Sequence, residues 1–215
     1  MRAWTLVWLL VLAACDRRGA TTSTTPAAPA PQPVASATQP VPPRTDEEQV
    51  LELALRAFAY SGDEVWLRPT PQKPRLVIHH QTEAKSGMLT DSQLGSDLRG
   101  TGRAIPLDVR RDLQGRNTGS APLAGHRFID GRLHVADVDG AMGNDFLTRD
   151  EKFEAAFPNA FAYAHVWLPG FSADGKEAVV RFWFGPTLHG ATATYYMARG
   201  RQGWRIKWRK IAHYL

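Results

Sequence analysis

The chain has 215 residues, a hydrophobic fraction of 43% and a formal net charge of +5 at pH 7, which suffices for one or two domains with a buried core. Four of the 26 basic residues and one of the 21 acidic residues precede Thr45, so the chain from Thr45 onward carries a net charge of about +2. This balance gives no indication of nucleic-acid binding. The single cysteine, Cys15, excludes a disulfide bond within the chain.

The first fifteen residues have the pattern of an export signal. Arg2 is followed by an apolar run over positions 3–12, and small residues precede Cys15. The run is too short to cross a bilayer as a permanent helix, which favours a signal peptide over residues 1–14. Leu12-Ala13-Ala14-Cys15 resembles the lipobox of bacterial lipoproteins. The resemblance implies cleavage before Cys15, acylation of that residue and attachment to the lipid bilayer; the alternative is an ordinary signal peptide with a chance cysteine.

Residues 15–44 are predicted to form a lipidated cysteine followed by a disordered linker. The stretch from residue 16 contains seven of the fifteen prolines and no aromatic residue, so it cannot bury enough apolar surface to offset the cost of ordering. Asp16 resembles the signal that retains lipoproteins in the inner membrane of enteric bacteria. That resemblance implies a location in the cell envelope, on the periplasmic side of the inner membrane.

The folded part is predicted to be a single domain over residues 45–215. Thr45 and Glu48 fit a capping box, in which each residue satisfies a backbone N–H of the other. Apolar residues then recur at helical spacing, which predicts an amphipathic helix over 46–60.

The middle of the chain begins with a strand and a long connection. Residues 75–81 (RLVIHHQ) are typical of a strand. The polar, glycine-rich stretch 82–104 has no clear period and is expected to be an irregular loop. A short helix is then predicted to begin near Pro106, with Val109 and Leu113 on one face.

Two further elements are predicted before residue 160. Residues 127–138 are typical of a β-hairpin that turns at Asp130-Gly131, a dipeptide favoured in two-residue hairpin loops. A second capping box over 148–151 predicts a helix that ends before Pro158, because proline cannot continue a helix.

The last fifty residues are predicted to form four consecutive strands, AYAHVWL, KEAVVRFWF, ATATYYMA and WRIKWRKIA. In the last strand Trp204, Ile206 and Trp208 alternate with basic residues, so we expect these three side chains to face the core and the basic ones to face water. The chain therefore predicts an α+β fold. Its antiparallel sheet contains the C-terminal four-strand meander and packs against a few helices on one face.

The helix over 46–60 and the strands that close on Gly203-Trp204-Arg205-Ile206 resemble nuclear-transport-factor-2-like domains. The strands also resemble the last sheet of many exported bacterial proteins. The first resemblance implies a cone-like domain that forms a pocket or acts as an enzyme, without indicating a substrate. A pocket between sheet and helices would be lined by aromatic and histidine side chains of three strands: Tyr163, His165, Trp167, Trp183 and Tyr195.

The seven histidines are the obvious candidates for metal ligands, but their spacing matches no metal-binding motif. His79 and His80 are adjacent on the predicted strand, so their side chains are expected to point to opposite faces and not to share an ion. The other five have no HxH or HxxxH spacing: His126, His134, His165, His189 and His213. The histidine spacing therefore predicts no metal site, and the sequence predicts no cofactor.

The segment Asp137-Val138-Asp139-Gly140, with Asn144 and Asp145, resembles a calcium loop. Position 146 is Phe, whereas an EF-hand has a Glu there. A turn rich in Asp, Gly and Asn accounts for the same residues equally well, and both interpretations stay open.

A basic row near the C-terminus is the most distinct surface feature. Its members fall within twelve residues that contain no acid, and they include Arg199, Arg201, Arg205, Lys207 and Arg209. The row could bind an anionic partner, such as lipid headgroups, a cell-wall polymer or an acidic protein. It could equally be a solvated face whose charge prevents an edge strand from pairing with another chain.

No catalytic nucleophile motif or phosphate-binding glycine pattern is recognisable, so the sequence neither supports nor excludes an enzyme. The first hypothesis is therefore a membrane-tethered envelope lipoprotein that acts as a non-enzymatic binding or scaffolding module for an anionic envelope component or a protein. The alternative is a small-ligand-binding or catalytic domain that uses the pocket between sheet and helices.

Overall fold

The computed structural model describes residues 43–61, 67–84, 87–143, 149–186 and 190–214. The predicted signal peptide, Cys15 and the linker as far as residue 42 lie outside the described residues. Pro42–Leu215 forms one compact unit. Among the described residues, no helix is both long enough and apolar enough to span a membrane.

The helices of the described residues precede a run of five consecutive strands at the C-terminal end of the domain. The α-helices are α1 (Asp46–Ser61), α2 (Asp91–Asp97), α3 (Leu107–Arg116), α4 (Val138–Met142) and α5 (Arg149–Ala156), and a 3₁₀ turn (Gly87–Leu89) precedes α2. The strands are β1 (Arg75–His79), β2 (Leu133–Ala136), β3 (Ala160–Val166), β4 (Gly170–Phe171), β5 (Glu177–Gly185), β6 (Ala191–Gly200) and β7 (Gly203–His213).

The seven strands of the described residues form one mixed sheet in the order β2-β1-β3-β5-β6-β7, with β4 paired to β5. Strand β1 is parallel to both of its neighbours, β2 and β3, and the other pairings are antiparallel. The α+β class is confirmed. The prediction of an antiparallel sheet is wrong for the part that contains β1. There, strands that are distant in sequence pair in parallel.

The hairpin predicted over residues 127–138 is absent, and two glutamates of α1 explain why. The backbone N–H of Arg127 donates to Glu48 Oε1 at 3.0 Å. The N–H groups of Ile129 and Asp130 donate to the two carboxylate oxygens of Glu52, at 3.2 and 2.9 Å. Both glutamates are buried, so they satisfy the N–H groups that a hairpin would have paired. The following strand, β2, is then free to pair with β1.

Helices cover both faces of the sheet, so the prediction of helices on one face is wrong. Alternate residues of a strand point to opposite faces, and both sets of β5 are buried. Phe182 packs in one cluster with Leu51 of α1. Val179 packs in another cluster with Leu94 of α2 and Val109 of α3. Helices α4 and α5 contribute a third cluster, which shares Trp183 with the second.

The first helix begins where its capping box predicts. Thr45 Oγ1 accepts a hydrogen bond from the Glu48 N–H at 3.1 Å, and Glu48 Oε2 accepts one from the Thr45 N–H at 2.8 Å. The apolar residues of the predicted stripe are buried, including Leu51, Leu55 and Phe58. This helix is the longest in the described part of the chain, which is why its period is visible in the sequence.

The stretch 82–104 is more ordered than expected, since it contains the 3₁₀ turn and α2. Thr90 caps α2, because its hydroxyl accepts a hydrogen bond from the Gln93 N–H at 3.2 Å. A seven-residue helix completes only two turns, so its apolar spacing could not reveal it. The predicted helix that follows is confirmed as α3, with Val109 and Leu113 fully buried.

A β-bulge in β7 changes which face its tryptophans occupy. The register between β6 and β7 shifts at Tyr196/Met197. Trp204 and Ile206 pack against the cluster of α1, whereas the Trp208 ring stacks on Tyr196 on the other face, with centroids 5.3 Å apart. The prediction that the three side chains share one face is wrong, because the bulge inserts one residue and reverses the alternation.

Candidate functional site

Five histidine and aspartate side chains meet where three parallel strands end. His79 is the last residue of β1, Asp137 directly follows β2, and His165 is the penultimate residue of β3. Parallel strands in one sheet place their carboxyl ends at the same edge, which is where ligands bind in many α/β proteins. We call the resulting group the histidine–aspartate cluster: His79, His80, Asp137, Asp139 and His165.

The two adjacent histidines lie on the same side of this edge. The rings of His79 and His80 have centroids 4.6 Å apart, and Nδ1 of each lies within 4.0 Å of Asp137 Oδ1. The strict alternation of a strand does not apply, because β1 ends at His79 and the backbone bends at His80. The expectation that these side chains point to opposite faces is therefore wrong.

His165 is fully buried, and a carboxylate orients its ring. Its Nδ1 lies 2.9 Å from Glu83 Oε1. The hydrogen bond from His165 lowers the pKa of Glu83, an effect that exceeds the opposing effect of burial. Glu83 is thus ionised and accepts a hydrogen bond from the protonated Nδ1 of His165. The other ring nitrogen, Nε2, is directed into the cluster.

The Nε2 atom of His165 faces a second acceptor. It is buried without a hydrogen-bond partner, and Asp139 Oδ1 lies 3.6 Å from it. When Nδ1 carries the proton of a neutral imidazole, Nε2 presents a lone pair. A lone pair opposite a carboxylate oxygen is stabilised by a second proton on the ring, by a bridging water or by a cation between the two atoms.

His79 is the third residue, with His165 and Asp139, whose side-chain atoms could bind one metal ion. Its Nε2 lies 3.9 Å from Asp139 Oδ2, and its ring stacks on that of His165 with centroids 4.7 Å apart. Burial lowers the pKa of His79. Donor atoms of one tetrahedral ion, each about 2.1 Å from it, lie about 3.4 Å apart. The two separations from Asp139, 3.6 Å to His165 and 3.9 Å to His79, are close to that spacing, and the ligand atoms of the three residues all lie within 4.8 Å of one another.

The short helix α4 positions the two aspartates. Asp137 is its N-cap, because Oδ1 accepts a hydrogen bond from the Gly140 N–H at 2.9 Å. Asp139 follows in the first turn and is largely exposed. The residues that resemble a calcium loop thus begin a helix. Asn144 and Asp145, the other two members of that loop, lie outside the described residues.

Aromatic rings form one wall of the cluster. The Trp183 ring stacks on His165 at 4.0 Å between centroids, with the planes 9° apart, because the two residues are cross-strand partners in β3 and β5. Tyr163 meets Trp183 edge to face at 5.7 Å. These three members of the predicted pocket set are therefore brought together.

The other two members of that set lie elsewhere. Trp167 is buried among residues of α2 and α3, and its indole N–H donates to the carbonyl oxygen of Ala84 at 3.3 Å. Tyr195 is buried on the opposite face of the sheet, stacked on Phe182. Tyr195 was predicted to line the pocket because the sequence does not show which face of the sheet each side chain of β6 occupies.

Arg149, the first residue of α5, closes one side of the cluster. Its guanidinium carbon lies 5.5 Å from the centroid of the Tyr163 ring and 5.4 Å from that of Trp183. Nη2 lies 3.3 Å from Asp139 Oδ1, and Nε is buried without a hydrogen-bond partner. Arg149 therefore places a positive charge beside Asp139, and part of its donor capacity is unused.

The basic row is only partly available to a partner. Arg199 forms an ion pair with Asp46 at 2.7 Å and lies over the Trp204 ring. Arg199, Arg201, Arg205 and Lys207 are exposed, and Arg209 is half-buried. The row thus contributes in part to docking α1 on the sheet.

Sequence reasoning missed Glu83, Arg149 and the grouping of the histidines with the aspartates. The feature of the sequence that could have indicated this grouping is the position of His79 and Asp137, each of which stands at the end of a short apolar run. A parallel arrangement of those two runs would have predicted the cluster, but nothing in the sequence indicated it. Comparisons of this chain with protein-family models, with curated proteins and with solved structures found no match.

Proposed function

We propose that the domain binds a divalent transition-metal ion at the histidine–aspartate cluster. The observation that supports the proposal is the buried Nε2 of His165, which faces Asp139 Oδ1 at 3.6 Å without a hydrogen-bond partner. Burying such an atom costs free energy unless something compensates it. A metal ion between the imidazole and the carboxylate would bind both and remove that cost.

The ligands would be Nε2 of His79, Nε2 of His165 and a carboxylate oxygen of Asp139. Glu83 would fix the ring of His165, as outer carboxylates commonly do for metal-binding histidines. Asp137 could do the same for His79, whose Nδ1 lies 4.0 Å from it, after a shift of about 1 Å.

Two imidazoles and one carboxylate are a ligand set suited to Zn²⁺, Fe²⁺, Ni²⁺ or Co²⁺. Calcium prefers six or more oxygen ligands, and the three histidine rings of the cluster supply nitrogen instead. Three protein ligands leave a fourth position of a tetrahedral ion for water or another small ligand. The proposal therefore favours a small-ligand-binding or catalytic domain over a purely scaffolding module.

Metal binding is tested by titrating the apoprotein with Co²⁺ and Zn²⁺, using the visible bands of Co²⁺ and calorimetry. We expect one equivalent to bind. Asp139→Asn should weaken binding at least about tenfold and leave folding intact, because Asp139 is largely exposed. Glu83→Gln should weaken it about 10–100-fold through its effect on His165.

His134→Gln is the matched control, because His134 is an exposed histidine on β2 outside the cluster. It should bind the ion as the wild type does. Equal affinity of wild type and Asp139→Asn, or no binding by the wild type, would refute the proposal.

We also propose, from the sequence alone, that this domain belongs to a lipoprotein of the cell envelope. The apolar run that ends in Leu12-Ala13-Ala14-Cys15 supports it. Acyl chains on Cys15 would hold the chain on a bilayer, with Asp16 favouring the periplasmic side of the inner membrane. Mass spectrometry of the mature protein from a bacterial host should find an acylated N-terminal Cys15. A mature chain with another first residue would refute this assignment.

A further inference from the structure

We infer that the open position of the metal ion takes an oxyanion, a carboxylate or a phosphate group, and that Arg149 binds its second oxygen. This inference rests on the proposed metal site and adds the chemical class of its ligand. Arg149 would be the residue that selects this class.

The guanidinium of Arg149 is held in place beside the cluster. The rings of Tyr163 and Trp183 lie 5.5 and 5.4 Å from its central carbon, within the range of an attractive cation–π contact. Trp183 is itself stacked on His165. The same rings thus position both the arginine and one of the proposed metal ligands.

The donors of Arg149 are incompletely used. Nη2 lies 3.3 Å from Asp139 Oδ1, a long hydrogen bond, and Nε is buried without any partner. A guanidinium presents five N–H donors in a planar fork that matches carboxylate and phosphate oxygens in pairs. The buried Nε can therefore donate to an acceptor placed beside it.

The distances allow one oxyanion to reach both the ion and the arginine. Asp139 Oδ1 is 3.6 Å from His165 Nε2 and 3.3 Å from Arg149 Nη2, so the proposed ion and the guanidinium flank the same carboxylate. One oxygen of the ligand would lie about 2.1 Å from the ion. A second oxygen would accept a hydrogen bond of about 2.8 Å from the guanidinium.

The charges make this binding depend on the metal. Asp137, Asp139 and Glu83 carry three negative charges around the cluster, and Arg149 offsets one of them. Without the ion the site repels an anion. A divalent ion adds two positive charges and brings the group to neutrality, so an oxyanion should bind only to the metal-loaded protein.

The inference is tested on Co²⁺-loaded protein by titration with phosphate, with acetate and with chloride, following the visible Co²⁺ bands. Phosphate or acetate, and not chloride, should shift the bands of the wild type, and the more effective of the two identifies the ligand class. Arg149→Gln should retain Co²⁺ and bind the oxyanion at least about tenfold more weakly. Arg149→Lys, which keeps the charge and loses the fork, should be intermediate.

Arg132→Gln is the matched control, because Arg132 also lies over an aromatic ring, that of Tyr60, but outside the cluster. It should behave as the wild type. Unchanged oxyanion affinity in Arg149→Gln would overturn this inference and leave metal binding in place. Loss of Co²⁺ binding by Arg149→Gln would also overturn it, since the arginine would then serve only to position Asp139. If the wild type binds no Co²⁺, the proposed function and this inference both fail.

Discussion

Glu48 shows how one side chain connects separate parts of the domain. Glu48 completes the capping box of α1 by accepting a hydrogen bond from the Thr45 N–H. It also accepts one from the N–H of Arg127, about eighty residues further along the chain. Burial raises the pKa of Glu48, but these N–H donors more than compensate and bring it down to about 2. Only the ionised carboxylate can accept all of these hydrogen bonds.

This arrangement predicts an acid-dependent contribution to stability. The pKa of Glu48 is lower in the folded state than its ordinary value of 4.5, so the contribution is complete above about pH 4.5 and is lost as the pH falls towards 2. At pH 7, Glu48→Gln should reduce the free energy of unfolding by about 1–2 kcal/mol. Urea unfolding from pH 7 to pH 2 should show the gap between variant and wild type narrowing below pH 4.5.

Glu151→Gln is the control for that experiment, because Glu151 is exposed in the first turn of α5 and Gln can take the same place in the predicted capping box. It should stay within about 0.5 kcal/mol of the wild type at pH 7. A gap between Glu48→Gln and the wild type that does not change with pH would contradict the assignment.

Arg181 is a second residue whose role the sequence conceals. It lies in the run VVRFWF of β5, and its side chain is fully buried. It forms an ion pair with Asp97 of α2 and donates to Thr194 Oγ1 at 2.7 Å. The helix that supplies Asp97 was not visible in the sequence, so the partner that allows this burial was not visible either.

Among the elements, α3 packs closely against β4 at Gly170. A Cβ atom at Gly170 would lie 2.5 Å from the carbonyl oxygen of Val109 and 2.6 Å from the backbone nitrogen of Leu113. The adjacent Phe171 N–H donates to Asp112 Oδ2 at 2.8 Å. Glycine is therefore required at position 170 for the helix backbone to sit against the strand.

Gly170→Ala should consequently force α3 away from β4 and destabilise the domain by about 1–3 kcal/mol. Thermal or urea unfolding measures the effect. Gly119→Ala is the control, since a Cβ there would meet no atom within 4 Å, and its stability should change by no more than about 0.5 kcal/mol. Equal stabilities of the two variants would show that α3 packs on this edge less closely than described.

At the scale of the whole molecule, the mixed sheet creates the candidate site. The five members of the histidine–aspartate cluster come from chain positions as far apart as 79 and 165, and the parallel pairing of β1 with β2 and β3 brings them to one edge. An antiparallel sheet would have placed the ends of neighbouring strands at opposite edges. The chemistry proposed here thus depends on topology more than on any local motif.

The sequence by itself determined the elements whose signals are local. These are the capping box and amphipathic stripe of α1, the short helix α3, the strand β1 and the four C-terminal strands, together with the α+β class. Their signals are hydrogen bonds and side-chain periods that span three to ten residues, so they do not depend on the rest of the chain. The lipobox and the linker are equally local, and they stay predictions.

The tertiary structure alone decided the features that need partners distant in sequence. Two buried glutamates of α1 replaced the predicted hairpin, a bulge turned Trp208 away from Trp204, and parallel pairing gathered His79, Asp139 and His165. In each case the local sequence was compatible with more than one arrangement. The choice depended on the hydrogen bonds and buried surface that only the folded chain supplies.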